Sequence, residues 1–245
     1  PEPTPEPTAA TPPFIRWSSE TGSWAPSSAP PECGPLEEMF DVLPIDPNIL
    51  TTVGRPGRTG GNGAYYVAHG LLRANNTPHD QIEVKFPANG FSLYSVNRRL
   101  EDYYIGQKRI NDGVEQVKLE FHHPCGISIM IDHIAQLTDR WMEIIKDIPV
   151  TMNDSRTVQV PSGQYWVESG EVLGHAIGHV SNIYLDFGVY DLRNKNDSAV
   201  MIAKDWPEYI NSGGHGICWS GLFGSQVQDI LKGLYDLGSE SDYCN

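Results

Sequence analysis

Three short runs hold the residues whose types and spacing could do chemistry. In "SNIYLDFGVYD", Tyr184 and Asp186 are two apart in a stretch where Ile183, Leu185, Phe187 and Val189 alternate with them. Side chains two apart on an extended strand share a face, so Tyr184 and Asp186 point together to one side and the aliphatic residues to the other. His69 and Arg73 lie four apart in "AHGLLR", and His133 ends "GISIMIDH". A histidine and a carboxylate held together in a cleft can move a proton without a metal, so His69, His133 and Asp186 form one candidate acid–base set.

Other clusters carry weaker chemistry. His122, His123, Cys125 and His133 fall close together in "HHPCGISIMIDH", but Pro124 and Gly126 predict a turn that separates them, and a disulfide competes for Cys125. His175 and His179 in "GHAIGH" read as histidines flanking a turn, His79 and Asp80 as solvated loop residues, and His215 as part of a glycine-rich structural segment. No G-x-S-x-G elbow, phosphate-cradling loop or dinucleotide fingerprint is present. Tyr65, Tyr66, Tyr103, Tyr104, Tyr165, Trp166 and Trp219 are enough aromatics to line a groove for sugar or peptide, although most suit half-buried strand positions.

The elements that must position these residues are mostly strands. "AYYVAHGLLRA", "QIEVKFP", "GFSLYSVNR", "VEQVKLEFHH" and "GISIMIDHI" are short, apolar or alternating, and bounded by Gly, Asn or Pro, as antiparallel strands are. β-character returns in "TVQVPSG", "QYWVESGEVLGHAIGHV" and "NIYLDFGVYDLR". Between them, Ile134, Leu137, Trp141, Ile144 and Ile145 in "IAQLTDRWMEIIKDIP" have helical spacing and predict one inserted helix ending near Pro149. A C-terminal helix is predicted over "SQVQDILKGLYDL".

Four pieces in this order carry a family resemblance. "QIEVKFPANGFSLYSV", "GISIMIDHIAQL", "VESGEVLGHAIG" and "NIYLDFGVYD" resemble successive segments of the lysostaphin-like zinc metallopeptidases, over roughly residues 64–191. The third piece is the most specific, with Gly170 and Gly174 where a side chain would obstruct a turn or close packing. The resemblance implies an antiparallel barrel-sandwich hybrid. In that family a zinc is held by the His and Asp of an H-x-x-x-D motif and by the second His of an H-x-H pair, while two further histidines serve the attacking water. Here His69 stands at the first ligand, Arg73 replaces the Asp, and Tyr184 and Asp186 replace the H-x-H pair; His133 matches a water-facing histidine. No cofactor is therefore expected, and the alternative is a zinc that uses His69 and Asp186. Arg73 and Asp186 are expected to form an ion pair in place of the metal.

Composition bounds the rest. With 17 basic against 31 acidic residues the formal charge is −14, which repels phosphate backbones and anionic membranes, so nucleic acid is excluded as a partner. Four widely spaced cysteines read as two disulfides in an oxidising compartment; three connectivities are open, with Cys33 to Cys125 and Cys218 to Cys244 preferred. Residues 1–32 are rich in Pro, Thr and Ser and are expected to be a disordered linker, with an anchor upstream and no membrane insertion of this fragment. Residues 33–195 are assigned to a peptidase-like β domain and 196–245 to an extension packed on it, closed by a disulfide.

The function expected is a secreted or surface-tethered, non-catalytic domain that uses the old substrate groove to bind a cell-envelope polymer, a peptide or a protein, with Arg73, Tyr184 and Asp186 as binding residues. One alternative is a peptidase-like hydrolase with a relocated metal or an acid–base site on His133 and His69. An extracellular structural or assembly subunit is another.

Overall fold

Alternation along the long strands produces a sheet with two unlike faces. The computed structural model describes residues 14–20, 22–105, 108–236 and 240–244. In chain order the strands are β1 (Trp17–Glu20), β2 (Ser23–Pro26), β3 (Thr52–Gly54), β4 (Arg58–Gly60), β5 (Tyr65–Val67), β6 (Gly70–Arg73), β7 (Val84–Lys85) and β8 (Phe91–Ile105). They continue as β9 (Lys108–His122), β10 (Ile127–Leu137), β11 (Val150–Met152), β12 (Val158–Gln159), β13 (Trp166–Val167), β14 (Val172–Ile177) and β15 (Tyr184–Asp191). Four α-helices accompany them: α1 (Asp139–Ile145), α2 (Ala199–Asp205), α3 (Ile210–Gly213) and α4 (Ser225–Gly233).

The main sheet runs β11-β8-β9-β10-β15-β6-β3, and all of its pairs are antiparallel except β11 with β8. Leu72, Leu93, Val96, Leu119, Phe121, Ile129, Ile131, Leu185 and Phe187 are completely buried on one face. They pack with Trp141 and Ile145 of α1 and with Trp219, Phe223 and Leu231 of the C-terminal segment in one core. The opposite face carries Ser95, Asn97, Arg99 and Glu101 of β8 across from Glu120, Lys118, Gln116 and Val114 of β9. Asp132 of β10 lies across from Asp186 of β15, and Tyr184 across from Arg73 of β6. Period-two geometry thus gathers polar side chains from five strands on one surface.

Both disulfides form as preferred, Cys33 to Cys125 and Cys218 to Cys244. Gly170 adopts a φ of +79°, and a Cβ on Gly174 would stand 2.4 Å from the Gln136 carbonyl oxygen, as the turn motif implied.

Several expectations are corrected. Within residues 1–32 expected to be a disordered linker, β1 and β2 form a hairpin; residues 1–13 lie outside the described residues. Trp17 is the reason: it is buried, its Nε1 donates to the Pro124 carbonyl, and the absence of a side chain at Gly126 makes room for its ring. The inserted helix covers only Asp139–Ile145, because Ile134 and Leu137 remain in β10, paired with Ile177 and Gly174 of β14. "AYYVAHGLLRA" is two strands, β5 and β6, in different sheets. Among the described residues no helix is long and apolar enough to cross a membrane.

Candidate functional site

A bulge in β10 builds the site. Pairing with β9 shifts between Ile131 and Ile134, and His133 takes a φ of +70°. The extra residue turns consecutive side chains, Asp132 and His133, toward the same polar face. Left-handed backbone at a non-glycine residue costs on the order of 1–3 kcal/mol. The surroundings hold it there: the Asp132 Oδ1 accepts the His133 backbone N–H at 2.6 Å, and the His133 carbonyl accepts from Gly178 N at 2.8 Å.

Asp132 and Asp186 stand directly opposite each other across β10 and β15, which is repulsive unless cations intervene. Arg99, whose side chain is only 3% exposed, donates through Nη1 to Asp132 Oδ1 at 2.9 Å and through Nε to Glu101 Oε1 at 2.5 Å. His133 places Nε2 3.4 Å from Asp186 Oδ2 and Nδ1 3.5 Å from Glu101 Oε2. His69 places Nδ1 3.6 Å from the same Asp186 oxygen. Burial alone would lower the His133 pKa, but Asp132, Asp186 and Glu101 raise it above the ordinary imidazole value. Burial would raise the Asp132 carboxyl, yet His133 and Arg99 hold it at about 2. Asp186 is likewise held low, against burial, by His69 and His133. Burial, with Asp186 and Glu101 nearby, pushes the Tyr184 phenol far up, so it stays neutral and can donate.

Two clefts open on this polar face on either side of the bulge, one lined by Asp132 and the other by His133. One, of about 290 Å³, extends from His69 and Asp132 along Lys118, Glu120 and His122 to Trp24 of the N-terminal hairpin. The other, of about 300 Å³, is bounded by Glu101, Gln116, His133, Tyr184 and the turn at Gly178 to Asn182.

The structure brings together His69, His133 and Asp186, and sets Tyr184 against His133 with ring centroids 4.2 Å apart. It does not form the expected Arg73 to Asp186 ion pair. The Arg73 Nη1 donates to Asn182 Oδ1 at 2.6 Å and its guanidinium lies over the Tyr184 ring, because Arg73 pairs with Tyr184 in the register while Asp186 pairs with Leu71. Of the weaker clusters, Cys125 is in its disulfide and His123 Nδ1 accepts the Cys125 N–H. Trp219 is core, and Tyr66 is the one member of the aromatic set that lines either cleft; the side chains of Tyr103 and Tyr104 lie outside the described residues.

A tetrahedral zinc needs three protein donors that converge on one centre. The contacts of His69 and His133 to Asp186 are of suitable length, but among the described residues the one trio with donor atoms within 4.8 Å of one another is Cys33, His123 and Cys125. His69, His133 and Asp186 do not form such a group. No family model matches the chain, and no curated protein matches its sequence.

Sequence reasoning missed Asp132, Arg99, Glu101 and Gln116. For Arg99, Glu101 and Gln116 the signal was available: polar residues occupy every second position in "SVNRRLE" and "EQVKLEFH", and these two strands pair with each other.

Proposed function

We propose that the chain is a secreted or surface-tethered, non-catalytic domain, built like the lysostaphin-like peptidases, that binds an extended cell-envelope polymer, or a peptide or protein, along the polar face of its sheet. One observation carries this reading: two clefts on the same face flank the bulge, one lined by Asp132 and the other by His133, with Arg99 paired to Asp132 and His133 to Asp186 between them. Asp132, Asp186 and Glu101 favour the protonated form of the His133 imidazole, which donates hydrogen bonds and cannot act as a base. The two disulfides are compatible with an extracellular setting. Co-sedimentation of the full chain with purified peptidoglycan sacculi tests the polymer as ligand. Binding that weakens at least fivefold in Glu101→Gln with Tyr184→Phe supports the reading; binding unaffected by both removes the groove from it.

A second reading, a hydrolase with an acid–base site, is favoured by the contacts of His133 and His69 with one oxygen of Asp186. Hydrolysis of the same sacculi that disappears in His133→Ala would establish it in place of the first, and zinc retained through purification would extend it to a relocated metal.

A further inference from the structure

We propose that the 290 Å³ cleft beneath the N-terminal hairpin is a subsite for one neutral sugar unit. This rests on the groove-binding reading and names a ligand chemistry for one end of the groove. The volume is at the lower end of the roughly 300–1,000 Å³ typical of small-ligand sites, which suits a single ring rather than a folded peptide.

Three features converge on that class. Aromatic rings from separate parts of the chain form the walls, and each is fixed before any ligand arrives. The Trp24 Nε1 donates to the Asn211 carbonyl at 3.0 Å, the Tyr66 hydroxyl donates to Asp242 at 2.8 Å, and Trp24 meets His122 edge-on with His122 stacked on Tyr94. Such rings accept the apolar face of a pyranose at little entropic cost.

The charges in the cleft are spent on each other. Lys118 Nζ lies 3.8 Å from Glu120 Oε1 and donates to the Ser155 carbonyl, and Asp132 is held by Arg99. Burial keeps His122 uncharged, with its pKa pulled down to about 3. Among the described residues an ionic ligand finds no unmatched countercharge there.

Hydrogen-bonding capacity is nevertheless left over. His122 Nδ1 and Asn211 Oδ1, both on residues that line the cleft, are buried without a partner, and Ser128, Ser212 and Glu120 add hydroxyl and carboxylate groups around the rim. Buried polar atoms are ordinarily paired, so an uncharged ligand rich in hydroxyls is the complement.

Saturation-transfer difference NMR on the full chain with cellobiose, glucosamine and glucuronate tests the assignment. Transfer to the cellobiose ring protons is expected, at least fivefold stronger than to either charged sugar. It should fall at least fivefold in Trp24→Ala and in the isosteric Glu120→Gln, and be largely restored in Trp24→Phe. No transfer to cellobiose, equal transfer to the charged sugars, or wild-type transfer in both Trp24→Ala and Glu120→Gln overturns it. If cellobiose fails while sacculi still co-sediment through Glu101 and Tyr184, only the sugar assignment falls.

Discussion

Two aspartates face each other across β10 and β15, and the residues around them exist to make that tolerable. Arg99 bridges Asp132 and Glu101 in a buried setting, so Arg99→Met should strand two carboxylates and cost about 3–5 kcal/mol in urea unfolding. The histidines should pull the pH dependence in opposite directions. His133 has a raised folded pKa, so its contribution is fully present below the unfolded value of about 6.5 and is lost as pH rises through the folded value. His122 is held at about 3, so between about 6.5 and 3 the unfolded chain binds a proton that the folded chain refuses, and stability falls with pH. The loss should be on the order of 2 kcal/mol by pH 5. Urea unfolding from pH 4 to 9 should show a flatter acid limb in His122→Phe. In His133→Gln the loss relative to wild type should be greater at pH 6 than at pH 9. At this scale Tyr184 and Asp186 were legible on one face, whereas His69 and His133 were legible as residue types only, since the bulge turns His133. The partner given to Asp186 was not legible, because a shift of two residues in register separates Arg73 from Leu71, which stands opposite it.

At the scale of elements, the strands were legible and their ends were not. Leu137 satisfies a helical spacing with Trp141 as well as a strand position opposite Gly174, and pairing with β14 decides for the strand. The two glycines of the "VESGEVLGHAIG" segment serve different purposes, which substitution should separate. Gly170→Ala meets open space and pays only for left-handed backbone, about 1 kcal/mol. Gly174→Ala drives a methyl into the Gln136 carbonyl between β14 and β10, and should cost more, about 1–3 kcal/mol, in chemical denaturation. The bulge at His133 left no mark in the sequence, since neither glycine nor a turn residue signals it.

For the whole molecule, the disulfides connect distant parts of the chain. Cys33 to Cys125 closes a separation of 92 residues and ties the segment after the N-terminal hairpin to the end of β9. Cys218 to Cys244 closes 26 residues around α4. Loop-closure entropy assigns them about 4.6 and about 3.5 kcal/mol. Replacing Cys33 and Cys125 by Ala should therefore lower the denaturation midpoint more than replacing Cys218 and Cys244. Limited proteolysis should find new cleavage near residues 27–36 in the first variant and after residue 234 in the second.

The sequence by itself determined the β-rich class, the polar and apolar faces of the long strands, the turn glycines and the availability of four cysteines, because side-chain alternation and backbone permissiveness are local properties. Tertiary structure alone decided that Arg99 neutralises Asp132, that Trp17 and Trp24 draw a Pro-rich segment onto the sheet, and that two clefts flank the bulge at Asp132 and His133. Those outcomes depend on cross-strand register and on a one-residue bulge, both fixed by packing between segments far apart in the chain.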